Sequence, residues 1–321
     1  LLDKQTRDVP PLDATIDAPQ DLADLAIALL RRDPDQRPQY AEIASVCGES
    51  NIDVSSEPSS EVLLGRETQL AALESVLRNA QSSTEVAVAM VAGRSGEGKS
   101  ALIDGFLEGL RGRDDLIVLR GRCYDQESVP YKALDSVIDA LASHLRRIDS
   151  LRAAALLPDD TGFLAALFPV LNRVEAVSLR RAPNLKMLDE TQIRKRAYAA
   201  LRGLLYRLSE HATIVLVIDD LHWGDAASAE ALDFITRGTE QPRLLFIGGY
   251  RSDEVDTSQF LNAWNALQKN DEHSPAKLVE VGPLTRLQCQ RLIQDCFGEQ
   301  HENLSALVDK LYEESAGNPF L

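Results

Sequence analysis

The chain has 321 residues, of which 44% are apolar and 26% charged, a composition that supports a buried core. Fifty acidic against 34 basic residues give a net charge of −16, which argues against a non-specific nucleic-acid role. The longest apolar run, Val86–Ala92, has seven residues, far short of the about 20 that a membrane-spanning helix needs. No signal peptide is visible.

Cys47, Cys123, Cys289 and Cys296 form no CxxC pair, so free buried thiols in a reducing, cytoplasmic compartment are expected. Seven residues separate Cys289 from Cys296 on one helix face, with no histidine at ligand spacing, so they read as core thiols. The chain starts without methionine and stops just after Gly317-Asn318-Pro319, and it reads as a fragment of a longer protein.

In residues 1–48, Leu22, Leu25, Ala26 and Leu29 share a helical face that ends at Asp33-Pro34, and Pro38 suits a new helix start. Residues 49–61 hold five serines and four acidic residues without a basic one, which marks a linker. From Val62 on, strands alternate with helices. Val86–Ala92, Leu116–Arg120, Ile214–Ile218, Leu244–Gly249 and Leu278–Val281 read as buried strands. Near-continuous apolar strands joined by helical crossovers imply an α/β fold with a parallel sheet covered on both faces. The stretch from 150 to 190 exceeds one crossover and reads as a helical insertion. Residues 62–282 then form the α/β domain. After Pro283 only helices are expected, over 283–321, opening on a Thr285/Gln288 capping box. The basic run Arg194-Lys195-Arg196 reads as a solvated helix face.

Gly93-Arg94-Ser95-Gly96-Glu97-Gly98-Lys99-Ser100 fits the phosphate-loop pattern, with a strand before it and a helix after it. Its glycines let backbone N–H groups turn inward on a phosphate, and the helix start adds its positive dipole end. Lys99 neutralises the β- and γ-phosphates of ATP and the Ser100 hydroxyl ligates Mg²⁺. The strand Thr213–Ile218 runs into Asp219-Asp220. Carboxylates at such a strand end sit beside the phosphate loop, where Asp219 would hold Mg²⁺ and Asp220 would orient or deprotonate the attacking water. Arg251 closes the fourth strand, within reach of a γ-phosphate. His222 and Trp223 read as packing residues.

These segments, with Leu63-Leu64-Gly65-Arg66-Glu67, Leu221-His222-Trp223-Gly224-Asp225, Tyr250-Arg251-Ser252-Asp253-Glu254 and Gly317-Asn318-Pro319-Phe320, resemble the STAND class of AAA-like signal-transduction ATPases. The resemblance implies a three-layer P-loop NTPase sandwich with strand order 5-1-4-3-2 and a helical lid. It further implies Gly65 and Arg66 near the adenine, Arg251 as a sensor, Pro319 against the base and a nucleotide-dependent oligomer. The run Leu29-Leu30-Arg31-Arg32-Asp33-Pro34-Asp35-Gln36-Arg37-Pro38 is similar to the last subdomain of protein Ser/Thr kinases. It implies a kinase–ATPase fusion of a bacterial type, acting on protein substrates, with Arg37 structural and the kinase's catalytic residues upstream. Gly121–Tyr131 resembles a segment of those fusions and carries no assignable chemistry. Within the STAND class, the alternative is a non-hydrolysing scaffold or transcriptional regulator.

Overall fold

The computed structural model describes residues 64–83, 85–125, 130–180, 188–238, 240–268, 276–297 and 304–320, with Leu25, Ala28 and Pro38 as isolated positions. The chain divides into two units, Leu1–Glu61 and Val62–Leu321. The kinase-like run and the linker lie outside the described residues.

In the second unit the elements follow the alternation expected from the sequence. They are α1 (Glu67–Ser82), β1 (Ala87–Gly93), α2 (Lys99–Glu108), β2 (Leu116–Arg122) and α3 (Lys132–Arg147). Next come α4 (Ser150–Leu156), α5 (Thr161–Leu167), a 3-10 turn (Pro169–Arg173) and α6 (Glu175–Ser178). Then follow α7 (Glu190–Ser209), β3 (Thr213–Asp219), a 3-10 turn (Leu221–Trp223), α8 (Ala226–Thr236), β4 (Leu244–Arg251), α9 (Gln259–Gln268) and β5 (Lys277–Glu280). Two helices close the chain, α10 (Arg286–Phe297) and α11 (Leu304–Ser315). The strands form one parallel sheet in the order β2-β3-β4-β1-β5, the predicted order read from its other edge.

Side chains alternate across a sheet, and both faces are apolar here. Ile214, Leu216 and Ile218 of β3, with Leu244 and Phe246 of β4, face one core, completed by α3, α7, α8 and the insertion. Val215, Val217, Leu245, Ile247, Ala89 and Val91 face the other, against Leu73 and Leu77 of α1 and Leu102, Ile103 and Phe106 of α2. Every residue of β3 is buried, as a central strand of such a sheet requires. The insertion, α4 to α6, thickens one layer through Leu157, Leu164, Phe168 and Leu171.

β2 and β4 run to Arg122 and Arg251, beyond the predicted Arg120 and Gly249, because each continues a register pair: Arg122 opposite Asp219, Arg251 opposite Gly93. Both added ends carry arginines of the site. The capping box holds: the Thr285 N–H donates to Gln288 Oε1 at 2.8 Å, and the Gln288 N–H donates to Thr285 Oγ1 at 3.3 Å. Cys123 and Cys289 are buried free thiols; the side chain of Cys296 and the whole of Cys47 lie outside the described residues. Among the described residues, no helix is long and apolar enough to cross a membrane.

Candidate functional site

The loop between β1 and α2 depends on left-handed backbone at two glycines, Gly96 with φ +80° and Gly98 with φ +92°. A side chain would strain either position. Gly98 is the N-cap of α2, and its carbonyl accepts the Leu102 N–H at 2.9 Å. The first helical residue, Lys99, is 7% exposed, and its Nζ donates to the Arg94 carbonyl across the loop at 2.8 Å. Glu97 folds inward, and its carboxylate accepts the Arg94 N–H. Arg94 and Ser95 are exposed at the loop tip.

Two distant residues hold this loop by its backbone. Arg66 is buried, and its Nη2 donates to the Glu97 carbonyl at 2.9 Å and to the Gly282 carbonyl at 2.6 Å. Asn318, just past α11, donates through Nδ2 to the Ser95 carbonyl at 3.1 Å. The side chains of Asn318 and Phe320 fill the space a Gly96 Cβ would enter, at 2.6 and 2.9 Å. Gly65, also left-handed, is tied to α10 by Gln288 Nε2 donating to its carbonyl at 3.1 Å. Pro319, next to Asn318 in the chain, is exposed.

Beside the loop, β3 ends in two carboxylates that part company. Asp219 is 2% exposed; the Ser100 hydroxyl donates to its Oδ2 at 2.6 Å, and the Asp220 N–H donates to its Oδ1 at 2.9 Å. Asp219 fits because Gly249 on β4 carries no Cβ, which would stand 2.6 Å from Oδ1. Asp220 takes left-handed backbone, φ 56° and ψ 39°, uncommon without glycine and tolerated best by Asn and Asp. This turn aims its carboxylate at Arg122, whose Nε and Nη2 reach Oδ2 at 2.8 and 2.7 Å. The carboxylate expected to act on water is therefore bound to a guanidinium that is 54% exposed.

Arg251 lies at the end of β4, with its Nη1 on Glu254 Oε1 at 2.6 Å and its guanidinium 5.3 Å from the Trp223 ring centre. His222 is buried beneath it, and its Nδ1 accepts the Arg251 N–H at 3.4 Å. Asp225, closing the same motif, caps α8 and also accepts the Tyr131 N–H at 2.8 Å, fixing the start of α3. Burial pulls the Lys99 ammonium below its ordinary range, while Asp219 and Asp220 pull it back up. Burial likewise pushes the His222 imidazole below its ordinary value, against the pull of Glu254 and Asp220.

This arrangement suits a polyphosphate with a small hard cation. The loop offers a glycine turn, a helix start and a buried ammonium. Ser100 and Asp219 pair a hydroxyl with a carboxylate, the sparse oxygen set on which Mg²⁺ is held when substrate and water supply the other ligands. Among the described residues no group of three or more His, Cys, Asp or Glu side chains is arranged to hold a metal alone.

Arg122, Glu254 and Asn318 stand in segments quoted from the sequence but are given no role there. Arg122 had a usable signal: in the strand order 5-1-4-3-2, the end of β2 lies beside the end of β3.

A search of curated proteins finds no match. Among solved structures the chain is similar to the Walker-type ATPase PABY2304 of Pyrococcus abyssi, with 16% identity and a TM-score of 0.42, covering 80% of this chain and 65% of that one. It is also similar to the Aeropyrum pernix Orc1 protein, solved in complex with DNA, with 18% identity and a TM-score of 0.41, covering 80% and 57%. The chain thus spans less than two thirds of either protein's length. The AAA ATPase domain model matches residues 62–247, more than half of the 321, from just before α1 to the middle of β4, and the chain accordingly belongs to the AAA ATPase domain family.

Proposed function

We propose that residues 62–321 bind ATP with Mg²⁺ at the loop 93–100 and hydrolyse it, as a switch whose state is read by the helices after Pro283. The observation that carries this reading is the meeting of Ser100 and Asp219 at 2.6 Å beside the buried Lys99. Lys99 exchanges its bond to the Arg94 carbonyl for the β- and γ-phosphates. Ser100 and Asp219 hold the cation, which when bound neutralises charge on the phosphates. Asp220, once Arg122 lets go, orients the attacking water or takes its proton. Arg251 moves from Glu254 to the γ-phosphate. Arg66 holds the loop by the Glu97 carbonyl, which supports a positioning role for Gly65 and Arg66 near the adenine. The contact of Asn318 with the loop supports a lid that senses occupancy, with Pro319 beside it.

Lys99→Ala tests the reading. Titration of the full chain with ATP should show affinity lowered by at least about 100-fold, the loss of a buried, charge-assisted contact. Unchanged affinity would remove the loop from the site. A measured turnover then separates a hydrolase from the scaffold alternative.

The finer reading is a signalling switch of the STAND class in a kinase fusion. It is supported by the motif Asp219–Asp225, the Gly317–Phe320 turn and the kinase-like run ending at Arg37-Pro38. Protein substrates and a nucleotide-dependent oligomer belong to this reading. The sequence of the parent protein decides it: a kinase catalytic loop upstream is expected, and its absence would leave the ATPase switch alone.

A further inference from the structure

Glu254 sits between two donors and serves one. Its Oε1 accepts from Arg251 Nη1 at 2.6 Å. Its Oε2 faces His222 Nε2 at 3.7 Å, outside hydrogen-bond range. The His222 side chain is 0% exposed, and its Nδ1 accepts the Arg251 N–H. An accepting Nδ1 puts the ring proton of a neutral histidine on Nε2. That Nε2–H is a buried donor with no hydrogen-bond partner, a state that folded proteins seldom keep without a use. Trp223 packs on the histidine ring, centres 4.7 Å apart, and also underlies Arg251. The histidine is thus fixed by its neighbours, while the acid it faces is held by the one side chain expected to move.

We propose that His222 is a positioning residue that takes over the Glu254 carboxylate when Arg251 leaves it for the terminal phosphate of a nucleoside triphosphate. The inference rests on the reading of Arg251 as a γ-phosphate sensor. Without a successor, the departure of Arg251 would strand a half-buried carboxylate beside Trp223. With His222 in place, a shift of under about 1 Å brings Oε2 into range, and the orphan donor and the abandoned acceptor satisfy each other. A diphosphate gives Arg251 no reason to leave, so His222 contributes to triphosphate binding only.

The experiment measures ATP and ADP affinities of the full chain by titration. His222→Phe should weaken ATP by about tenfold, the size of one hydrogen bond to a charged group, and leave ADP unchanged. His222→Gln, which can accept the Arg251 N–H and donate to Glu254, should recover most of the loss. A second measurement needs no nucleotide. Arg251→Ala frees Glu254 permanently, so His222→Phe should lower the urea midpoint more in the Arg251→Ala background than in the wild type. Equal midpoint shifts in the two backgrounds overturn the exchange. So does an unchanged ATP-to-ADP ratio in His222→Phe when Arg251→Ala collapses that ratio. Parallel loss of both nucleotides in His222→Phe and His222→Gln makes His222 a packing residue and also overturns it. A ratio unchanged by Arg251→Ala overturns the sensor reading itself, a result that the nucleotide-free shifts tell apart from failure of the exchange.

Discussion

The phosphate loop and the end of β3 and β4 adjoin, yet they are held in different ways. The loop is held by its backbone: Arg66 and Asn318 both donate to main-chain carbonyls, and Glu97 accepts a main-chain N–H. The strand ends are held through side chains: Ser100 on Asp219, Arg122 on Asp220, Arg251 on Glu254. Backbone contacts fix a position whatever ligand arrives. Partly exposed ion pairs contribute only about 0–1 kcal/mol, so their members can change partners. On the proposed reading, the loop keeps its backbone position and Lys99 changes partner within it, while at the strand ends the paired side chains must let go of one another before they act.

The sharpest way to break this comparison is Asp220→Asn. The substitution keeps the volume and removes the charge. ATP affinity should stay within about twofold and turnover should fall by at least about 100-fold, as general-base losses do. Equal losses in affinity and turnover would make Asp220 part of the cradle and end the division of labour.

Next in size is Gly249→Ala. The new Cβ would stand 2.6 Å from Asp219 Oδ1 and push the carboxylate off Ser100. The strand is buried, so part of the effect should appear as a lower melting temperature. The diagnostic part is the gain in ATP affinity on adding Mg²⁺, which should shrink by about tenfold, roughly one charge-assisted contact. An undiminished gain would place the cation elsewhere.

How far these roles could be read from the sequence follows from how far apart the partners lie. The five strands and the loop were legible because each is a local pattern: a run of apolar residues, or eight residues of fixed spacing. Asp219 was legible because it ends a strand. The partner of Asp220 was not, since 98 residues separate Arg122 from it and only the β2–β3 register joins them. The left-handed turn at Asp220 was equally hidden, because no glycine marks it. His222 looked like packing, which its burial bears out, but its unpartnered Nε2 depends on where Glu254 points, and no spacing reveals that. In the Gly317–Phe320 turn the family pattern drew the eye to Pro319, whereas the hydrogen bond to the loop comes from its neighbour Asn318.

Arg122→Ala gives a smaller effect of opposite sign. It releases a carboxylate that Arg122 holds through Nε and Nη2, and the side chain it removes is 54% exposed. At about 0–1 kcal/mol, turnover should rise two- to fivefold with ATP affinity unchanged. A fall in turnover would show that Arg122 orients Asp220 for its work, and would move that ion pair from the exchanging side of the comparison to the fixed side.

The smallest expected effect probes the tie between the loop backbone and the turn after α11. Asn318 Nδ2 reaches the Ser95 carbonyl across 223 residues of sequence, at the loop tip, where the backbone has few other partners from outside the loop. A single neutral hydrogen bond contributes about 1 kcal/mol, so Asn318→Ala should change nucleotide affinity by no more than about fivefold. The direction decides what the contact does. If it holds the loop in its binding form, both ATP and ADP weaken together. If it holds the lid down on an empty loop, both tighten, because binding no longer has to break it. The loop's glycines already impose its shape and Arg66 already anchors its far end, so the loop gains little from a second anchor, whereas α10 and α11 gain a stop. Tightening of both nucleotides, with a faster dissociation rate as the freed lid opens more often, is therefore the expected result.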